Sequence, residues 1–307
     1  MRYFLKTKNW NRLSNSSCDQ IYLTYSTDVT SYENRQALYQ HFLTYFIPFF
    51  MILLSYSSSS IAQEPAPILT VSEKSISGNT AYPTSEKADP WKFLHNYHAK
   101  YSVFYDGSKV GNATRALTKK DNQWTLMTQA KLSKLFFKVK SKEFAEFQIK
   151  AQQLVTKRFF SETKRTFKED KKMEQVFDWE NKTENGLNGK KQWQLELKQQ
   201  VFDRVSHVIQ LRSDLLNNKN NFSYNISYKG KRENYTYLLE KKESIKTDMG
   251  ELSSLKLVRT KSNGDIFVFW LSPELNYLPI KIAQFEKDKA DVVMLLDSYI
   301  PVLLEDA

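Results

Sequence analysis

From Tyr97 to Tyr299 the chain repeats one pattern: short runs in which apolar and polar side chains alternate, each closed by a turn signal. A period of two puts alternate side chains on opposite faces of a strand, so this pattern prescribes antiparallel sheet. Tyr97–Tyr105, Val110–Thr118 and Gln123–Lys131 read as a meander that turns at Asp106-Gly107 and Lys120-Asp121-Asn122. Phe136–Ile149 and Leu154–Glu162 read as a long pair of strands, and Gln175–Trp179 as one more. The last third continues with Phe222–Tyr228, Arg232–Lys242, Glu251–Lys261, Asp265–Leu271, Leu278–Glu286 and Asp291–Tyr299. Tyr228-Lys229-Gly230 and Asn263-Gly264 supply the left-handed backbone that tight hairpins need.

Two runs do not alternate. Ile266–Leu271 and Val292–Leu296 are apolar on both faces, so each must be covered on both sides. One segment has helical rather than strand spacing: Val205, Val208, Ile209, Arg212, Leu215 and Leu216 form a stripe within Asp203–Asn217, with Asp203 placed to cap it. A shorter helix is predicted over Pro90–Leu94, with Asp89 as cap and Pro90 at its first position. The expected architecture is therefore mainly β: a curved antiparallel sheet or half-open barrel, with the 203–217 helix packed in its concave face.

Ahead of this region, Phe42–Tyr56 is an apolar run too short for a comfortable bilayer span and suited to the core of a signal peptide. Ser60 and Ala62 are small residues at the −3 and −1 positions of a cleavage site before Gln63. The expected organisation is an upstream extension over 1–41, a signal core and cleavage region over 42–62, a flexible linker over 63–89 and one β-rich domain over 90–307. Residues 1–41 are long for a signal peptide, which points to translation starting near Leu38 or Leu43. The expected address is the periplasm or envelope, with an uncleaved inner-membrane anchor as the alternative. The single cysteine, Cys18, precedes the leader, so the mature chain would contain neither disulfide nor thiolate chemistry.

The formal net charge is +11, and most of the excess is local. Lys131 to Lys172 holds 13 basic residues against 5 acidic ones. Within it, Phe137 and Val139 face one way while Lys138, Lys140 and Lys142 face the other. The parity then slips between Phe144 and Phe147, which predicts a bulge. A lysine row can protect an edge strand from aggregation or dock on anionic lipid or glycan. In an exported protein nucleic acid is not the expected partner; an anionic surface or another envelope protein is.

Several landmarks, taken in order, resemble the bacterial envelope family known as domain of unknown function 3108. They are Tyr101-Ser102-Val103-Phe104-Tyr105 followed by Gly107 and Gly111, then Val176-Phe177-Asp178-Trp179, then Asp203-Arg204-Val205-Ser206 running to Leu211-Arg212. Met249-Gly250-Glu251 leads to Leu255-Lys256-Leu257, and Trp270-Leu271-Ser272-Pro273 to Tyr277-Leu278-Pro279-Ile280. The resemblance spans roughly Tyr97 to Pro301, with Glu274 where an Asp is expected and an Asn/Lys-rich insertion around Lys182–Lys191. It implies an exported protein with a curved antiparallel sheet, and no catalytic residues.

No catalytic constellation emerges from the residues themselves. His95 and His98 lack a third ligand nearby, so two exposed histidines are expected rather than a metal site. His207 falls on the polar side of the predicted helix beside Ser206, a spacing at which the two side chains do not meet. Asp178, Glu180, Asp203 and Asp248 form no recognisable acid–base pair, and there is no Gly-x-Ser-x-Gly elbow or phosphate-binding glycine loop. The expectation is a non-catalytic envelope protein, without cofactor or metal, that binds an amphipathic molecule or chaperones an envelope component. The alternative is an assembly scaffold docking through its basic strand face; a hydrolase comes third. The candidate binding residues are Lys138, Lys140 and Lys142 on that face, and Phe267, Phe269 and Trp270 in a doubly apolar strand.

Overall fold

The structure, a computed structural model, describes residues 89–286 and 291–302. The proposed leader, its Ala62–Gln63 cleavage site, Cys18 and the linker up to residue 88 lie outside the described residues. Eight strands run in sequence: β1 (Asn96–Tyr105), β2 (Ser108–Lys120), β3 (Gln123–Lys134), β4 (Phe137–Lys150), β5 (Gln153–Arg165), β6 (Lys168–Asp178), β7 (Thr183–Asn188) and β8 (Lys191–Glu196). Helix α1 (His207–Leu216) follows, then β9 (Phe222–Tyr228), β10 (Lys231–Thr247), β11 (Gly250–Thr260), β12 (Ile266–Ser272), β13 (Leu278–Phe285) and β14 (Val292–Val302). All fourteen join one antiparallel sheet in the order β8-β7-β6-β5-β4-β3-β2-β1-β14-β13-β12-β11-β10-β9. Each strand pairs with the next in sequence, except that β8 does not pair with β9, and β14 returns to pair with β1 and so unites the two meanders. Strand pairing does not close the sheet; β8 and β9 are its edges.

The sheet wraps around α1. Side chains on or just before the helix meet β1, β5, β9 and β10: Arg212 lies 5.8 Å from the Tyr97 ring, and Ser206 Oγ is 3.4 Å from Thr156 Oγ1. Asp214 accepts from the Tyr224 hydroxyl at 2.9 Å, and His207 Nε2 is 2.8 Å from the Tyr237 hydroxyl. Strands so far apart in one sheet can reach a ten-residue helix only if the sheet curves around it. This bears out the expected curved sheet with a helix in its concave face.

The helix itself departs from the sequence reading in two ways. Asp203 does cap, accepting from the backbone amides of Val205 at 2.6 Å and Ser206 at 2.8 Å, but it caps a preceding turn, and the α-helix begins at His207. Burial is also nearly all-round: His207, Leu211, Ser213 and Asp214 are buried along with Val208, Ile209 and Leu215, while Leu216 is exposed. A plug inside a sheet has almost no solvent face, so its polar residues turn to protein partners such as Tyr224 and Tyr237. His207, expected on a polar face, instead packs against Tyr224, Tyr235 and Tyr237.

Three further local readings are corrected. Pro90–Leu94 forms a turn rather than a helix, with Asp89 Oδ1 accepting from the Trp91 amide at 3.0 Å. The bulge expected in β4 belongs to β5, where the register steps from Glu146↔Arg158 to Phe147↔Thr156 and leaves Lys157 as the extra residue. β4 alternates throughout, and Phe144 is simply an outward aromatic, stacked on Phe160 at 5.2 Å. The Asn/Lys-rich insertion is the β7–β8 hairpin. Its Gly189-Lys190 turn, with Gly189 at φ 61° directly after Asn188, is the signal that could have revealed it.

That hairpin matters because its side chains bridge the open edge. Glu184 of β7 is fully buried and accepts from Gln175 Nε2 at 2.9 Å, Trp193 Nε1 at 3.0 Å and Ser227 Oγ at 2.7 Å. Arg232 of β10 completes its shell as an ion pair. The Trp193 ring lies over Gly186, where any Cβ would fall 2.0 Å from it, and against Gly230 in the β9–β10 turn. Phe202 adds a parallel bridge to Ile226 on β9. Side chains and one crossing segment thus seal a barrel that the backbone leaves open.

Candidate binding surfaces

Lys138, Lys140 and Lys142 share the outward face of β4, as the alternation requires; the first two are exposed and Lys142 is half-buried, 5.9 Å from the Phe144 ring. Their setting spans several strands. Lys140 stands in register between Lys131 on β3 and Lys164 on β5, and Lys142 lies opposite Glu162, which Lys172 contacts at 3.1 Å.

Phe267, Phe269 and Trp270 do not form one site. Phe267 and Phe269 meet edge to face at 4.9 Å on the interior wall, where Phe269 packs against Tyr237 at 5.7 Å. Trp270 is on the other face, with Lys281 at 4.4 Å and Lys256 at 5.8 Å from its ring and its indole N–H donating to Glu243. Two lysine stems are therefore part of the outer cover that a doubly apolar strand requires. In β14 the cover is thinner: Met294 and Leu296 are buried, and Val293 and Leu295 are half-buried.

Charge is concentrated inside as well. Arg204, just ahead of α1, forms a buried ion pair with Glu143 of β4 and donates to the Tyr228 hydroxyl at 3.2 Å. Burial pushes the Glu143 carboxyl up, and Arg204 pulls it partly back. Arg212 explains its place on an apolar stripe: its guanidinium lies 4.9 Å from the Phe93 ring, and Nε donates to the Asn276 carbonyl at 2.9 Å. Arg259 is stacked 3.5 Å from the centre of the Tyr235 ring.

His207 is a neutral histidine by position. Burial, with Arg259 and Arg115 nearby, pushes its pKa down to about 3. The folded value is below the ordinary value of roughly 6.5, so the unfolded chain binds the extra proton and stability falls as pH drops from about 6.5 toward 3. Each pH unit of that window removes up to about 1.4 kcal/mol through this group. Buried Glu143 and Asp203, both pushed up by desolvation, oppose part of that slope. His207→Gln is therefore expected to lower the acid sensitivity of the melting temperature between about pH 6.5 and 4.5 relative to the parent chain. Parallel curves would show that the imidazole stays outside the protonation balance.

The other titratable candidates have local roles. His95 precedes β1 and lies 2.5 Å from the Tyr299 hydroxyl, whereas His98 is within β1 and exposed. On an extended chain, residues three apart point to opposite faces, so the pair cannot share a metal. Asp178 is a turn cap: Asn181 donates to it through backbone and side chain, holding its carboxyl below the usual range. Among the described residues no cluster of histidines and carboxylates could hold a metal ion, and no helix is long and apolar enough to cross a membrane.

One concavity was not legible from the sequence. A cleft of about 720 Å³ opens beside the C-terminal end of α1, between β9, β10, β11 and the 3₁₀ turn Pro273–Leu275. Buried Leu215, Phe222 and Leu255 line its apolar side together with exposed Leu239, while Lys219, Lys242 and Glu243 supply charge of both signs, Lys219 being paired with Asp214 at 2.8 Å. It forms because β9 pairs β10 only as far as Tyr237, so β10 runs on past the edge strand with its outer side unpaired.

The family landmarks have structural roles. The Tyr101 hydroxyl donates to the Pro279 carbonyl at 2.9 Å, tying the first landmark to the last. Gly111 allows β2 to approach β3 where any Cβ would meet the Lys131 carbonyl at 2.1 Å. Glu274 accepts from the Ser253 amide at 3.0 Å, which accounts for a carboxylate at that position. A family described as Protein of unknown function (DUF3108) matches residues 100–297. No curated protein matches the chain. Among solved structures the chain is similar to a β-barrel-like protein of domain of unknown function DUF1849 from Brucella abortus. The identity is 9%, the alignment covers 68% of this chain and 98% of that one, and the TM-score is 0.46.

Proposed function

Since the chain belongs to the DUF3108 family, we propose that it is a non-catalytic exported envelope protein that binds an amphipathic molecule in the cleft beside α1. The observation that carries this reading is the lining of that cleft, with leucine and phenylalanine on one side and Lys219, Lys242, Glu243 and two serines on another. An apolar chain would cover the first and a polar headgroup would meet the second. Its volume is within the range of small-molecule pockets, roughly 300–1,000 Å³. Export rests on the Phe42–Tyr56 apolar run and the Ser60-x-Ala62 site.

Native mass spectrometry of the protein purified from the envelope of its host tests both parts. The expected mass is that of a chain beginning at or near Gln63 plus one small amphiphile. Leu239→Glu is expected to release the amphiphile, because Leu239 is exposed and its loss spares the core. An unprocessed chain would refute cleavage and favour an anchor. A stoichiometric protein in place of the amphiphile would favour the scaffold reading, and an empty chain would remove the cleft's role.

A further inference from the structure

We propose that the protein docks on an anionic bilayer through the tips of its β3–β4 and β5–β6 hairpins. Strands β3 to β6 alternate in direction, so these two turns emerge at the same end of the sheet. They are fastened together: the Thr166 amide donates to the Lys138 carbonyl at 3.1 Å, the Lys138 amide donates to Thr166 Oγ1 at 3.0 Å, and Phe137 meets Phe167 edge to face at 6.3 Å.

Leu135, Phe136 and Phe167 stand out at these tips, 77%, 56% and 79% exposed. Leu135 and Phe167 also hold the left-handed backbone, with φ of 55° and 61°. Glycine or asparagine takes that conformation at lower cost, and a bulky side chain usually avoids it. Burial repays neither residue, and of the two only Phe167 meets the edge of the Phe137 ring, so folding gives no reason for the leucine and only that one contact for the phenylalanine. The surrounding charge is as one-sided: residues 131–140 and 164–172 hold nine basic side chains against Glu169 and Asp170. Lys131, Lys140 and Lys164 stand directly opposite one another across three strands, an arrangement that weakens a sheet.

Both features suit one occupant. Apolar side chains standing above a lysine collar enter the boundary between headgroups and acyl chains, while the lysines meet lipid phosphates. A sulfated or carboxylated glycan would use the lysines and leave the three apolar side chains without a role.

The test is co-sedimentation of the chain, purified from the envelope, with vesicles of phosphatidylcholine alone or mixed with phosphatidylglycerol. Wild-type protein is expected to bind the mixed vesicles and to release them as salt is raised. The variant Leu135→Asn/Phe136→Ser/Phe167→Asn should bind at least about tenfold more weakly. It should keep the wild-type circular dichroism, because asparagine accepts the left-handed backbone and only the ring contacts to Phe137 are lost. Lys138→Glu/Lys140→Glu/Lys142→Glu should lose binding as well. The Phe136→Trp variant should show a blue-shifted indole emission on mixed vesicles. The proposal is overturned if wild-type protein ignores mixed vesicles at low salt, if the tip variant binds them as well as wild type, or if the emission of the Phe136→Trp variant does not move. Equal binding to dextran sulfate, unaffected by the tip variant, overturns it in favour of a glycan.

Discussion

Glu184→Ala is expected to destabilise the protein by about 3 kcal/mol or more, through the seam rather than the core. The carboxylate is fully buried, and its four partners come from β6, β8, β9 and β10, so it joins the two edges that strand pairing leaves apart. Alanine leaves the Trp193 and Ser227 donors without this acceptor, Gln175 with only the Ser227 carbonyl at 3.3 Å, and the Arg232 guanidinium without its counter-charge. Orphaned buried donors each cost about 1–3 kcal/mol, which is why the sum is large. Arg232→Ala should cost less, since Arg232 is partly exposed and Glu184 keeps its three neutral donors. Urea unfolding measures the difference, and hydrogen exchange locates it: the β7–β8 hairpin and the β9–β10 turn should lose protection together. A midpoint that does not move would mean that the seam contributes nothing and that the sheet holds its curvature unaided.

Ile209→Asp is expected to cost about 3 kcal/mol or more by placing an unpaired charge where the sheet surrounds α1. Ile209 is 1% exposed on a helix with almost no solvent face. Leu216→Asp, on the same helix and 37% exposed, is the internal control and should change stability by less than about 0.5 kcal/mol. Thermal melts that are equal for the two variants would place the helix outside the cooperative core.

Much of the sheet is legible in the sequence because strand periodicity is a local property. The strands β1 to β5 and β9 to β14, by alternation or by a continuous apolar run, the C-terminal part of β6, the Asp106-Gly107 and Lys229-Gly230 turns, and the Asp203 cap all follow from residues within a few positions of one another. The β7–β8 hairpin escapes such a reading because its strands are short and polar. Trp193 and Leu195 alternate with glutamine and glutamate, and the apolar side chains are only half-buried. The bulge falls on the other strand of its pair, since a slip in register belongs to two strands and periodicity reads only one of them at a time.

The candidate site divides along the same line. By itself the sequence determined the lysine row, since alternation alone sends Lys138, Lys140 and Lys142 to one face. It also determined that Ile266–Leu271 needs cover on both sides, because six apolar residues in extended chain leave no polar face. Only the tertiary structure decided what provides that cover, placing Phe269 against Tyr237 within and Trp270 beneath Lys256 and Lys281 without. It alone turned His207 inward, gathered Glu184's partners from residues up to 48 positions away, and opened a cleft where β10 outruns β9. The physical reason is that side-chain direction along one strand is set by backbone geometry, whereas the neighbour that meets the side chain is set by how the sheet curves and where its edges return.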